Sequence, residues 1–400
     1  MLKNMASRAI ALALVTLSPL TQADERVDYL DSVPYLITTS DPGDPQFANT
    51  PGNPNFRSGV GSIFIQFAGT APGGFICTAS AISPTHILTA AHCVRNTNPD
   101  GSVDVVSNIL FVLPSTGSVI GTTGFSANPT FDFYEPLVGA FAPGDVAVIE
   151  LAEPIPAGVE TYELYRDSDE LMKETQHYGH GRIGVGETGA TGDSDFFYGR
   201  TGKNRYDEVF APLIGIPFFE QLIHDFDDGT GGTDASPWWY SPAYLCPASH
   251  GKGVGNAVKC NVAKGQGKAY RDKGYGALEV GIAPGDSGGP GFVDGKIAGV
   301  HSFGFTYNCG GVTGNAPDVT CGLDSSYGEM AGDARVSINA AWIDAQLANG
   351  VTTPIPEPFP VAAASGSTSD SVELSAQAQY VISNSVARHL RLKVEMPAGQ

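Results

Sequence analysis

The chain is short of charge, and most of all of positive charge. Asp, Glu, Lys and Arg make up only 16% of its 400 residues, against about 25% in an average soluble protein. With 22 basic against 42 acidic side chains the formal net charge is −20. A nucleic-acid backbone selects clustered Lys and Arg, so that partner class is excluded. Long apolar runs are absent beyond the first residues, and no later stretch approaches the ~18 residues that would span a bilayer. There is no C-x-x-C pair, so a cysteine zinc site is not expected, and no metal ligand is assigned.

What is plentiful is Gly, at 50, and Pro, at 28. Together with 42% apolar residues, these point to a turn-rich, mainly β protein with a sizeable core. Lys3 and Arg8, the apolar stretch from Ala9 to Leu20 and the small residue Ala23 read as a secretory signal over residues 1–23, which predicts a secreted, extracellular or periplasmic protein. In an oxidising compartment six cysteines read as disulfides. They fall in sequential couples, Cys77 and Cys93, Cys246 and Cys260, Cys309 and Cys321, although the spacing alone leaves 15 connectivities open.

Residues 24–57 are rich in Asp, Pro, Asn and Thr and read as an N-terminal extension or propeptide. From Gly59 short apolar runs alternate with turns: Ser62–Phe67, Ile109–Leu113 and Val146–Leu151 are each of strand length. Residues 184–237 are polar and Gly-rich and read as surface insertions. Val336, Ala340, Ile343 and Leu347 share one face of a predicted closing helix over 334–347, stopped by Gly350. A Pro/Ser-rich linker, 349–370, and a tail, 371–400, follow. The tail has one strict alternation, His389 to Met396, and reads as a half-buried strand of an incomplete β module or of a segment packed on the main domain.

Three segments carry chemistry. They are Thr89-Ala90-Ala91-His92-Cys93, Gly144-Asp145-Val146-Ala147-Val148-Ile149 and Gly285-Asp286-Ser287-Gly288-Gly289-Pro290. A serine hydroxyl needs a base to become a nucleophile, imidazole is the natural base, and a carboxylate must fix its tautomer. His92, Asp145 and Ser287 supply these roles in the order His, Asp, Ser. That order differs from the Ser, Asp, His order of an α/β-hydrolase, which counts against that fold.

These segments resemble the trypsin-like serine peptidases, and most of all their exported bacterial branch. Cys77 to Ile82 with Leu88 to Cys93 is similar to the family's disulfide loop around the catalytic His. Gly285–Pro290 is similar to its nucleophile loop, Ile297–Gly304 to its substrate-binding strand, and Tyr178-Gly179-His180-Gly181 to its Gly-x-Gly turn. The resemblance spans Gly59 to Leu347 and implies a peptidase domain over 58–348. It implies an all-β fold of two packed antiparallel β-barrels, about 58–165 and 170–335, with a C-terminal helix. It implies His92, Asp145 and Ser287 as catalytic residues, the amides of Gly285 and Ser287 as an oxyanion hole, and Ser302, Phe303 and Gly304 as the strand that pairs with a polypeptide substrate. Gly281 would floor the specificity pocket. It lacks the Asp that selects Lys and Arg, so an apolar or small side chain is expected before the scissile bond, although Asp333 or Glu279 could bring a carboxylate nearby.

The implied function is a serine endopeptidase that needs no cofactor. The alternatives are a catalytically silent homologue that binds a protein or glycan, and an esterase using the same triad. The family's activation sequence is missing, and Asp286, which would pair with a freed amino terminus, has no assigned partner. Calcium is the one cofactor suggested, on the acidic loop Asp225, Asp227, Asp228 and Asp234.

Overall fold

The computed structural model describes residues 36–355, except 42, 69–73, 99, 133–141, 193, 195, 211–219, 230–232, 234, 236–273, 307–316 and 321. All of the described residues lie in one compact unit. The leader, the 371–400 tail, Asp234 and four of the cysteines, Cys246, Cys260, Cys309 and Cys321, lie outside them.

Six strands form the first sheet: β1 (Val60–Phe67), β2 (Phe75–Ser83), β3 (His86–Thr89), β4 (Val106–Leu113), β5 (Ser118–Ala127) and β6 (Ala147–Leu151). Their order is β5-β4-β1-β2-β3-β6, and β6 pairs back onto β5, so the sheet closes into an antiparallel barrel with no free edge. Its interior is apolar. Ile63, Ile65, Ile87, Ile109, Phe111, Val148 and Ile149 are buried and belong to one cluster, which β-branched and aromatic side chains on a pleated sheet fill well.

The main strands of the second sheet are β7 (Glu174–Gly179), β8 (Arg200–Arg205), β9 (Leu222–Asp225), β10 (Pro290–Val293), β11 (Lys296–Phe305) and β12 (Met330–Arg335), in the order β8-β7-β10-β11-β12-β9 and antiparallel throughout, with the two residues Glu208–Val209 pairing on the outer edge of β9. Two of these strands, β8 and β9, lie in the 184–237 stretch expected to hold surface insertions of the second barrel: the polar run Arg-Thr-Gly-Lys-Asn-Arg of β8 is held by backbone pairing along the whole of β7. Tyr178 and Phe292 join the first barrel's cluster, and Phe292 meets Tyr162 and Tyr178 edge-on at 5.0 and 5.4 Å between ring centres, so one apolar core runs between the two sheets.

A short helix, α1 (Ala91–Val94), carries His92. The closing helix, α2 (Val336–Asn349), starts two residues later than expected, because Ala334 and Arg335 still pair with Val300 and Gly299. Val336, Ala340 and Ile343 are buried on its inner face and Leu347 is half-buried. Beyond it Thr353–Pro354 adds to β5, so the start of the Pro-rich linker packs on the first barrel. The N-terminal extension also packs on the body. Ile37–Thr38 pairs with Val280–Gly281, and Ala48 bridges to Arg200. The architecture is the expected all-β pair of barrel-type sheets with a C-terminal helix. The first is a closed barrel and the second, among the described residues, an open one.

Candidate active site

His92, Asp145 and Ser287 come from three distant parts of the chain and meet where the two sheets face each other. His92 Nδ1 lies 2.7 Å from Asp145 Oδ2, and His92 Nε2 lies 2.8 Å from Ser287 Oγ. The backbone amide of His92 donates to the other carboxylate oxygen at 2.8 Å, so Asp145 fixes both the imidazole and the turn that presents it. Asp145 is fully buried, whereas the His92 side chain is 15% exposed, which leaves the imidazole open on the cleft side. The Cys77–Cys93 disulfide, the one couple within the described residues, ties α1 to β2 with 6.4 Å between its Cα atoms.

The nucleophile loop is latched to the first barrel by Thr78. Its amide donates to the Ser287 carbonyl at 2.8 Å, and its hydroxyl donates to the Gly285 carbonyl at 2.8 Å while accepting from the His180 amide. Gly288 has φ +82°, and a Cβ there would stand 2.0 Å from the Thr89 hydroxyl, so a side chain fits neither the backbone nor the space. The amides of Gly285 and Ser287 donate to no acceptor among the described residues.

Asp286 turns away from the cleft. Its carboxylate accepts from the Gly181 amide at 2.9 Å and the Ala283 amide at 3.2 Å. Burial pushes the Asp286 carboxyl well above the usual range, against the pull of the Gly181 hydrogen bond and the Arg200 charge.

Ser302, Phe303 and Gly304 lie at the open end of β11. On one side Phe303 and Gly304 pair with Gly332 and Ala331 of β12; on the other, β10 pairs no further than Val300. Among the described residues no strand pairs with that second edge beyond Val300. The Ser302 side chain does something the sequence did not signal: its hydroxyl donates to Asp145 Oδ2, adding a third donor to the buried carboxylate. Thr78 was missed for the same reason, since both roles depend on contacts made across more than 150 residues of chain.

Gly281 is buried against the Phe226 ring, and its neighbour across the sheet is Ile37. Phe226, Ile37, Ala283 and Tyr327 form one apolar cluster here. Neither Asp333 nor Glu279 offers a carboxylate at this place. Asp333 binds Tyr206 and His301 inside the second sheet, and Glu279 accepts from the amides of Asp227 and Tyr275.

The acidic loop is built differently from its expected form. Asp225 and Asp227 come together with Glu279, each buried, with one ligand atom of each within 4.8 Å of the others. Asp228 instead pairs with Thr233. Burial and then the Asp225 charge push Asp227 up to about 7, and burial with the Asp227 charge pushes Glu279 up as well. The folded protein therefore keeps a proton that the unfolded chain releases near pH 4. Stability from this trio is fully present below that pH and is lost as the pH rises toward 7. Asp227→Asn is expected to shrink the difference between the melting temperatures at pH 5 and pH 8.

Residues 55–196 match the trypsin family. That segment holds His92, Asp145, the Cys77–Cys93 disulfide and the whole first barrel, and ends before Ser287. The chain is similar to a solved structure of HL collagenase, at 18% identity over 74% of this chain and 95% of that one, with a TM-score of 0.44. It is also similar to an inactivated protease paralogue of the scabies mite, at 14% identity over 73% and 94% of the two chains, with a TM-score of 0.41. No curated protein matches it. No helix among the described residues is long and apolar enough to cross a membrane.

Proposed function

We propose that this chain is an exported serine endopeptidase that hydrolyses polypeptides through an acyl-enzyme. The observation that carries the reading is the hydrogen-bonded line Asp145–His92–Ser287, with 2.7 and 2.8 Å links. In the proposed reaction Ser287 Oγ attacks the scissile carbonyl carbon and passes its proton to His92 Nε2. Asp145 holds the tautomer that leaves Nε2 free to accept, and stabilises the imidazolium. The negative charge on the carbonyl oxygen falls to the amides of Gly285 and Ser287. His92 then gives its proton to the leaving amine, and water, activated by the same imidazole, releases the acid. The extended backbone of β11 at Ser302 to Gly304 suits a peptide backbone better than a simple ester.

A fluorophosphonate probe read by intact mass tests this reading. Stoichiometric labelling of the wild-type protein that disappears in Ser287→Ala is the expected result. A folded wild-type protein that takes up no label, before or after limited proteolysis, would instead favour the catalytically silent homologue. Parallel turnover of matched ester and amide substrates separates peptidase from esterase.

The apolar surroundings of Gly281 support a preference for an apolar or small side chain before the scissile bond. A peptide library is expected to show it, and clear selection of Arg or Lys would refute it. For the Asp225, Asp227 and Glu279 trio we propose calcium. Three converging carboxylates suit a hard cation, and Asp227 Oδ2 is buried without a hydrogen-bond partner among the described residues. Calcium is expected to raise the melting temperature over that in chelator at pH 8, and Asp227→Asn to abolish that rise.

A further inference from the structure

The first barrel is filled with Ile, Val and Phe, but the interior of the second sheet holds three imidazoles and a carboxylate. His177 on β7, His224 on β9, His301 on β11 and Asp333 on β12 are all fully buried. The His177 and His301 rings stack at 5.0 Å with 8° between their planes, and His177 lies 4.6 Å from His224. None of the four touches the cleft residues through its side chain in the contacts described above.

Among the described residues only two of the six ring nitrogens are engaged. His177 Nε2 is 2.6 Å from the Thr175 hydroxyl, and His301 Nδ1 is 2.9 Å from Asp333 Oδ1. His177 Nδ1, both nitrogens of His224 and His301 Nε2 are buried with no hydrogen-bond partner. His224 Nε2 stands 3.9 Å from Asp333 Oδ1, too far for a hydrogen bond. Buried polar atoms are almost always satisfied, and the unsatisfied nitrogens of His177 and His224, close to one carboxylate, call for a common partner.

We propose that His177, His224 and Asp333 bind a divalent transition-metal ion, zinc by preference, as a structural site inside the second sheet. One ligand atom of each already lies within 4.8 Å of the other two. A tetrahedral ion with bonds of about 2.0–2.1 Å draws its ligands to about 3.4 Å from one another, a contraction that side-chain rotation provides. Two imidazoles with one carboxylate form a set that favours zinc over calcium or magnesium. The outer contacts match what such a site requires. Thr175 fixes the His177 ring by its far nitrogen, and His301 with the Tyr206 hydroxyl orients the two oxygens of Asp333. Full burial means that the ion enters as the sheet folds and leaves when it unfolds.

The test uses the full chain, made without a metal-affinity tag in zinc-supplemented culture, with metal content read by plasma mass spectrometry. The expected result is stoichiometric zinc that survives dialysis of the folded protein against EDTA and is released in denaturant. Protein grown in cobalt-supplemented minimal medium should show the intense visible bands of four-coordinate cobalt. His224→Leu, and His177→Gln as a second variant checked for folding by circular dichroism, should lose the metal and the bands. Ser287→Ala and Asp227→Asn should keep both, which separates this site from the cleft and from the acidic trio. Folded wild-type protein that carries neither zinc nor cobalt overturns the proposal, as does metal retained in full by a folded His224→Leu. Should both histidine variants misfold, the wild-type metal content and cobalt spectrum decide alone.

Discussion

Replacing Asp145 with Asn is expected to lower kcat by about four orders of magnitude, with little change in KM. The carboxylate accepts from His92 Nδ1, from the His92 amide and from the Ser302 hydroxyl, so all three contacts present donors to it. An amide at 145 has one accepting oxygen. If that oxygen stays on the His92 amide, the NH2 group faces His92 Nδ1 and forces the proton onto Nε2. The nitrogen that must take the Ser287 proton is then already occupied. Steady-state kinetics on a peptide substrate would measure the loss, and an asparagine variant with more than a tenth of wild-type kcat would contradict the role given to Asp145. Ser302→Ala removes one of three donors and leaves the tautomer intact, so its loss should be far smaller.

Gly179→Ala is expected to reduce kcat by about 10²–10³, the scale of a lost oxyanion donor, even though residue 179 does not touch the cleft. A Cβ at 179 would stand 1.7 Å from Asp286 Oδ1 and 2.3 Å from its Cγ. The carboxylate would have to leave the Gly181 and Ala283 amides that hold it. Asp286 sits between Gly285 and Ser287, so its rotation re-aims both amides proposed to bind the oxyanion. The same variant should melt at a lower temperature, because the displaced carboxyl is buried and loses its donors. Kinetics and thermal melts on one preparation check both parts. Unchanged kcat would show that the position of Asp286 does not govern the loop.

How much of this could be read from the chain follows from where the physical signal lies. The first barrel was legible, since Ser62–Phe67, Ile109–Leu113 and Val146–Leu151 fall within or next to β1, β4 and β6, and their β-branched and aromatic runs face an apolar interior. The second sheet was legible only in part, at Ile297–Gly304 within β11. Its interior takes His177, His224, His301 and Asp333, so the hydrophobic alternation that marks a strand is broken there. Strand β8 is polar along its length and owes its place to backbone pairing, which leaves no trace in side-chain type. Of the site, His92, Asp145 and Ser287 were legible because each sits in a short motif. The Ser302 hydroxyl on Asp145, the Thr78 latch and the meeting of Glu279 with Asp227 were hidden, because each depends on the fold bringing distant segments together.

The Thr78 latch also bears on when this chain becomes dangerous to its neighbours. Ser287 is positioned by a residue 209 places earlier, and Asp145 is held by a hydroxyl 157 places later. A ribosome that has finished the first barrel has made His92 and Asp145 but no nucleophile. One that has just passed Ser287 still lacks the strand bearing Ser302. For the peptidase proposed above, self-destruction of the nascent chain, or of whatever surrounds it, would therefore be postponed by topology alone: the Asp145–His92–Ser287 geometry exists only after both halves have been synthesised and have docked.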